Sequence, residues 1–140
     1  MTQEEAASEF MDKVLHLFEV GARVQRRPLQ RPAVVFAPED NHENGALYHY
    51  ASNTIEVFPN SVPLLQETLV HELVHAWWWQ EKQLFYHGAS AWHGPRFQDK
   101  LAVVYFRLGW GKPGENTRSC KTEPAESTTE YPVIMDLWST

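Results

Sequence analysis

Apolar residues recur at two different spacings along the chain, and these spacings predict helices and strands in a definite order. Near the start, Phe10 and Val14 recur at helical spacing, and Thr2 followed by Glu5 is the pattern of a capping box. The first helix is therefore expected over about 2–20. The elements predicted after it are a strand at 33–38, a hairpin with strands at 46–50 and 54–58, a helix over about 62–82, and a helix from Pro95 to about Gly109.

Together these elements predict an α+β fold. A small antiparallel or mixed sheet of about three strands is expected to pack against three helices, with the apolar 62–82 helix as the central one. We expect one domain over residues 1–111. Beyond it the composition becomes polar and rich in turn residues, so residues 112–140 are expected to form a C-terminal tail. Its last apolar stretch, 131–138, is a candidate for docking back onto the domain.

The composition is that of an ordinary globular protein. Of the 140 residues, 43% are hydrophobic and 21% are charged, which is near the average for globular domains. The formal net charge of -6 gives no overall attraction for nucleic acid. The single cysteine, Cys120, excludes an internal disulfide and a four-cysteine zinc ribbon.

Apolar and charged residues together also predict where in the cell the protein is located. No stretch of the sequence approaches the ~20 apolar residues that a membrane-spanning helix needs. Four acidic residues in the first twenty argue against a secretory signal; they are Glu4, Glu5, Glu9 and Asp12. We therefore expect a cytoplasmic protein that does not associate with a membrane.

The predicted 62–82 helix carries the sequence His-Glu-x-x-His, formed by His71, Glu72 and His75. Residues four apart lie on one face of a helix, so two imidazoles can bind a single metal ion. Glu72 lies about 100° around the helix axis from His71, where it can reach a water molecule on that metal. Zinc suits imidazole ligands, and a catalytic zinc site has three protein ligands and an open position.

The simplest alternative is a surface helix with two solvated histidines. The residues that flank the motif are too apolar for that; they are Leu69, Val70, Leu73, Val74, Ala76, Trp77, Trp78 and Trp79. The helix is expected to be largely buried, and buried histidines need polar partners. We therefore predict one zinc ion per chain.

The third ligand has to come from elsewhere in the chain. Metzincin spacing would require Gly at position 78 and His at position 81, where the chain has Trp78 and Glu81. Two histidines remain downstream, His87 and His93. We favour His93 because it stands directly before the helix that begins at Pro95, whose packing would fix the imidazole, and we keep His87 as the alternative.

The segment HELVHAWWW followed by HGPRF resembles the SprT-like family of zinc metalloproteases, which includes the Spartan-type proteases. The resemblance covers roughly residues 33–108 and implies a zincin-like fold, with His71, His75 and His93 as zinc ligands and Glu72 as the general base. Many members carry a four-cysteine zinc ribbon, which this chain lacks. The family's eukaryotic members act on DNA-bound proteins, so the resemblance implies DNA association, for which the acidic charge gives little support.

The function predicted from these residues is zinc-dependent hydrolysis of peptide bonds in a protein or peptide substrate. Candidates for a second donor to the oxyanion are Tyr86, His87, Tyr48, His49 and Tyr50. The strand 54–58, TIEVF, is the candidate edge strand for an extended peptide. The alternative functions are a zinc-stabilised binding module without catalysis, which needs a fourth protein ligand, and a zinc hydrolase that acts on another amide.

Three further features have both a structural and a functional interpretation. The carboxylates of Glu67 and Asp99 are either solvated helix charges or groups that orient a ligand imidazole. The tryptophans at 77–79 either pack in the core or contact substrate. The four arginines within 23–31 are expected to lie on a solvated helix end and loop, with a small anion as the alternative ligand.

Overall fold

The computed structural model describes residues 1–21, 26–41, 44–85, 93 and 95–113. Within them the chain forms α1 (Gln3–Val14), β1 (Ala33–Phe36), β2 (Ala46–His49), β3 (Thr54–Val57), α2 (Leu65–Phe85) and α3 (Pro95–Leu108). The predicted α+β fold, a small mixed sheet of three strands with three helices, is confirmed. The predicted docking segment 131–138, and all of the predicted tail beyond residue 113, lie outside the described residues.

Helix α1 begins at the predicted capping box. The Thr2 side chain accepts a hydrogen bond from the Glu5 amide at 3.0 Å, and the Glu5 carboxylate accepts one from the Thr2 amide at 2.9 Å. Hydrogen bonding of the Glu5 carboxylate to the Thr2 backbone, and secondarily to the Thr2 side chain, lowers the pKa of Glu5. The helix ends at Val14, earlier than expected, and a single 3₁₀ turn follows it. Phe18 then leaves the helical conformation and is completely buried.

The sheet is mixed, with the strand order β1-β3-β2. β1 runs parallel to β3, and β2 runs antiparallel to β3 through the hairpin. The prediction that TIEVF is an edge strand was therefore wrong. Thr54–Val57 is the central strand and has both of its backbone edges paired, so it has no free edge to offer a peptide.

Asn53 organises the hairpin turn that joins β2 to β3. Its φ of 50° lies in the left-handed region, which asparagine tolerates better than most residues. Its side-chain oxygen accepts a hydrogen bond from the Tyr48 hydroxyl at 2.5 Å. Its amide group is 3.3 Å from the carbonyl oxygens of both Gln30 and Arg31. One side chain thus joins the turn to the segment that leads into β1.

Helix α2 is the central helix of the domain, since it contacts the sheet, α1 and α3. Pro63 lies in a 3₁₀ turn, Pro59–Leu64, directly before the helix begins. Residues 68–80 are all buried, as expected for a helix that is apolar on all sides. Among the helices of the described residues, none combines the length and the apolar character needed to cross a bilayer.

The three tryptophans of α2 pack in three directions, because successive helical residues point about 100° apart. Trp77 meets the Phe18 ring edge-on at 5.5 Å between centroids. Trp78 lies 6.4 Å from Phe97 of α3, and Trp79 lies 4.9 Å from Tyr50. All three are buried. The core-packing interpretation therefore holds, and none of the three forms an exposed wall for substrate.

Candidate metal centre

Two histidines of the centre come from one face of α2. His71 and His75 are one turn apart, and their ring centroids are 5.0 Å apart. Each ring is 4% exposed, because the apolar residues around the motif place this part of α2 inside the domain. The helix thus presents two adjacent imidazoles in a buried position, as their spacing predicts.

His93 brings the third imidazole to the same point from outside α2. Its Nε2 atom is 3.2 Å from the Nε2 of His71 and 3.2 Å from the Nε2 of His75. One ligand nitrogen from each of the three rings lies within 4.8 Å of the other two. The structure therefore brings together the three predicted ligands. The alternative ligand, His87, lies outside the described residues.

The spacing of the nitrogens fits a metal ion bound between them. Zinc–nitrogen bonds of about 2.0–2.1 Å at tetrahedral angles place two ligand nitrogens about 3.3–3.4 Å apart. The two Nε2–Nε2 distances of 3.2 Å are close to that value. The three histidines lie close enough to one another to hold a metal ion.

The histidines of α2 favour the neutral form, which is the form that binds metals. Burial, followed by the charge of a protonated His93, lowers the pKa of His71 from 6.5 to about 3. Burial is also the main cause that lowers the pKa of His75 well below 6.5, with smaller contributions from His71 and His93. A cationic imidazole in this position would have lost its hydration, so protons compete weakly with a metal ion for these nitrogens.

Glu72 is completely buried, at 0% exposure, in the same turn of α2. It directly follows His71, and helical geometry places it beside the histidine face and not on it. A carboxylate in that position can accept a proton from a water molecule without itself being a ligand. Glu72 is thus buried inside the domain, in the same helical turn as His71.

Phe97 contacts all three candidate ligands, a role that the sequence analysis did not assign to it. Its ring centroid is 4.9 Å from that of His71, 4.4 Å from that of His75 and 5.1 Å from that of His93. The side chain is completely buried. In the sequence, its helical repeat with Leu101 predicts a core residue. Its position four residues after His93, at the end of the HGPRF motif, is the signal that could have placed it beside the candidate ligands.

The hairpin residues predicted as oxyanion donors have contacts within or beside the sheet. Tyr48 donates its hydroxyl to Asn53, and burial raises its pKa. His49 lies on the opposite face of β2 from Tyr48, where it is 2.9 Å from the Glu56 carboxylate. Tyr50 packs against Trp79. Each of the three side chains thus has a structural contact, and the oxyanion role stays a prediction. Tyr86 and His87, the other two candidates, lie outside the described residues.

The remaining charged candidates lie at the surface or in ion pairs. Asp99 is exposed on α3, as expected for a solvated helix charge, and Glu67 is half-buried in the first turn of α2. Arg26 pairs with Glu19 at 3.2 Å, and Arg31 pairs with Asp12 of α1. These two arginines of the basic segment therefore contact carboxylates of this chain. Arg23 of the same segment lies outside the described residues.

Comparison of the chain with protein-family models, with curated proteins and with solved structures found no match. The function is therefore inferred from the chemistry of the site. That chemistry consists of three converging imidazoles, a buried carboxylate beside them, and an apolar setting that favours neutral histidines.

Proposed function

We propose that this chain is a zinc-dependent metallopeptidase in which His71, His75 and His93 bind one zinc ion and Glu72 is the general base. The observation that carries the proposal is the convergence of three Nε2 atoms, two pairs of them 3.2 Å apart, beside a buried glutamate. A purely structural zinc site has no need of a carboxylate that is adjacent to the ligands without being one of them.

Zinc is the metal that suits this set of donors best. Three imidazole ligands are found in catalytic zinc sites, where the fourth position is left for water or substrate. Magnesium and calcium prefer oxygen ligands, and the only described side chains that converge here are imidazoles. The lowered pKa of His71 and of His75 keeps both rings ready to bind metal at neutral pH.

The chemistry of peptide hydrolysis assigns a role to each side chain. When bound, zinc supplies a Lewis acid for the peptide carbonyl and lowers the pKa of a water molecule to about 7. Glu72 accepts a proton from the attacking water and delivers it to the leaving amine nitrogen as the carbon–nitrogen bond breaks. Glu72 is completely buried, so its carboxylate is shielded from bulk water, and burial favours the neutral acid that the second transfer needs.

Peptide as the substrate class is supported by the motifs. HELVHAWWW and HGPRF occur in the same order as the motifs of the SprT-like proteases, which the sequence resembles. In the described part of the chain, Pro95 of the second motif lies at the start of α3 and Phe97 packs on the histidine rings. We extend the proposal to protein or peptide substrates and leave DNA outside it.

The first experiment measures zinc per chain by elemental analysis on the purified full-length protein. Wild type is expected to contain one zinc, His93→Ala to lose it, and Glu72→Gln to retain it, because Glu72 is not a ligand. His87→Ala is expected to keep the metal. Loss of zinc from both His87→Ala and His93→Ala would indicate a closed four-ligand site and would favour the zinc-stabilised binding module.

The second experiment measures cleavage of an unfolded protein such as casein by the same zinc-loaded proteins. Glu72→Gln is expected to reduce the rate by at least about 100-fold, the usual contribution of general acid–base catalysis. Glu9→Gln, the same chemical change at an exposed position of α1, serves as the matched control and should keep the wild-type rate. Equal cleavage by Glu72→Gln and wild type would refute the assignment of the general base.

A further inference from the structure

Phe97 is a core residue of α3 whose ring contacts the three candidate metal ligands. Its ring centroid lies 4.4–5.1 Å from those of His71, His75 and His93. The three imidazoles therefore share one apolar neighbour. The ring is inclined at 31° to His75 and at 86° to His93, so it packs along one ligand and edge-on against another.

From these contacts we infer that Phe97 is a positioning residue for the metal centre: its ring holds the three imidazoles in the orientation in which their Nε2 atoms converge. This inference rests on the proposed function, since it assumes that the three histidines bind zinc. Phe97 would not touch the substrate. It would act through the ligands, by fixing their ring orientations before the metal arrives.

The need for such a residue follows from the freedom of a histidine ring. Rotation about the bond between Cβ and the ring is broad and weakly restricted, so the backbone of α2 alone does not fix where Nε2 points. Metal binding to freely rotating rings would have to restrict all three. A rigid neighbour that already restricts them leaves more of the binding free energy to appear as affinity.

Phe97 lies where the two segments that carry the candidate ligands meet. His71 and His75 belong to α2, whereas His93 precedes α3 and is half-buried. Phe97 lies in the first turn of α3, which begins at Pro95, and its ring packs against all three imidazoles. In the same turn, the Gln98 side-chain amide donates to the backbone carbonyl of His93 at 3.4 Å. The start of α3 thus contacts both the ring and the backbone of the third ligand.

The Phe97→Leu variant tests this inference, with Leu101→Ala as the matched control. Leucine keeps an apolar side chain at position 97 and removes the flat ring. Leu101 is 2% exposed and lies one turn further along the same buried face of α3, so its truncation costs core packing without removing the contact with the ligands. A second variant, Phe97→Met, also lacks the ring, but its unbranched side chain adapts to an irregular space, so it remains available if Phe97→Leu does not fold.

Two measurements separate positioning from stability. Zinc affinity is measured by competition with a chelator, and the melting temperature is measured on the metal-free proteins. Phe97→Leu and Phe97→Met are expected to lower the affinity by about 10–100-fold, the usual effect of losing a residue that orients a metal ligand. Leu101→Ala is expected to lower the melting temperature and to keep the affinity within about twofold of wild type.

The visible absorption of the Co²⁺-loaded proteins gives a third measurement, since it depends on coordination geometry. The bands should change in Phe97→Leu and stay as in wild type in Leu101→Ala. Wild-type affinity in both Phe97 variants would overturn the inference while leaving the proposed function intact. An equal loss of affinity in Leu101→Ala would also overturn it, by assigning the effect to general packing. Absence of zinc binding in wild type would refute the proposed function itself.

Discussion

The pH dependence of the metal-free protein tests whether the histidines of α2 are buried in the neutral form. Burial lowers the pKa of His71 from 6.5 to about 3, and it lowers the pKa of His75 in the same direction. In the unfolded chain both imidazoles regain a pKa near 6.5. Below that pH the unfolded state binds protons that the folded state does not bind. The contribution of the two neutral histidines to the free energy of unfolding is therefore fully present above about pH 6.5. It is lost as the pH falls from about 6.5 towards 3.

The contribution of His71 follows from its two pKa values. At about pH 5.0 the unfolded imidazole is almost fully protonated, whereas the folded one is still almost fully neutral. This pH lies about 1.5 units below the pKa of the unfolded imidazole. Protonation of the unfolded state therefore lowers the free energy of unfolding by about 2 kcal/mol relative to neutral pH. Domains of this size are stable by only about 5–15 kcal/mol. His75 adds to the loss in the same direction, so the metal-free protein should lose at least about 2 kcal/mol between about pH 7.5 and 5.0.

The assay is urea unfolding in the presence of a chelator, at several pH values between about 7.5 and 5.0. The fluorescence of the buried tryptophans 77–79 reports unfolding. The matched variant is His71→Gln, which keeps a polar side chain of similar size and cannot be protonated. Its loss of stability over the same range should be smaller than that of wild type by about 2 kcal/mol. A free energy of unfolding that is independent of pH, or the same dependence in His71→Gln, would refute the reasoning.

Two further predictions concern the fold that supports the site. Asn53→Ala should lower the free energy of unfolding by about 2–4 kcal/mol, because alanine is strained at a φ of 50° and the buried Tyr48 hydroxyl loses its acceptor. Asn53→Gly should cost about 1 kcal/mol less, since glycine adopts this φ without strain, and equal losses in thermal unfolding would contradict the argument from backbone strain. Leu73→Ala, at a fully buried position of α2, should cost about 2–5 kcal/mol. Leu64→Ala, at a position 46% exposed, should cost less than about 0.5 kcal/mol in urea unfolding, and similar costs for the two would contradict the assignment of the core.

The sequence by itself determined the features that depend on only a few neighbouring residues. The capping box at Thr2 depends only on positions three apart, and Gly109 ends α3 with a φ of 75° that suits glycine. The pair His71 and His75, with Glu72 beside it, depends on the rise and turn of one helix. Such geometry is the same in any helix, so the motif could be located without knowledge of the rest of the molecule.

The tertiary structure decided which elements meet. The alternation in β3, where Ile55 and Val57 are buried and their neighbours are half-buried, is the same for an edge strand and for a central strand. The sequence therefore could not show that β3 pairs on both sides. Strand order depends on which pairings the whole chain satisfies together, and no local pattern contains that information.

The same distinction applies to the metal centre. Sequence alone left both His87 and His93 as third ligands, because either lies within reach of α2 along the chain. The packing of α3 on α2, which buries Phe97 against all three imidazoles, brings His93 to the two helical histidines. Local periodicity determined the two candidate ligands that share a helix. The place of the third candidate ligand, and of the phenylalanine ring packed against it, was decided by contacts between residues about twenty positions apart, which arise only when the core assembles.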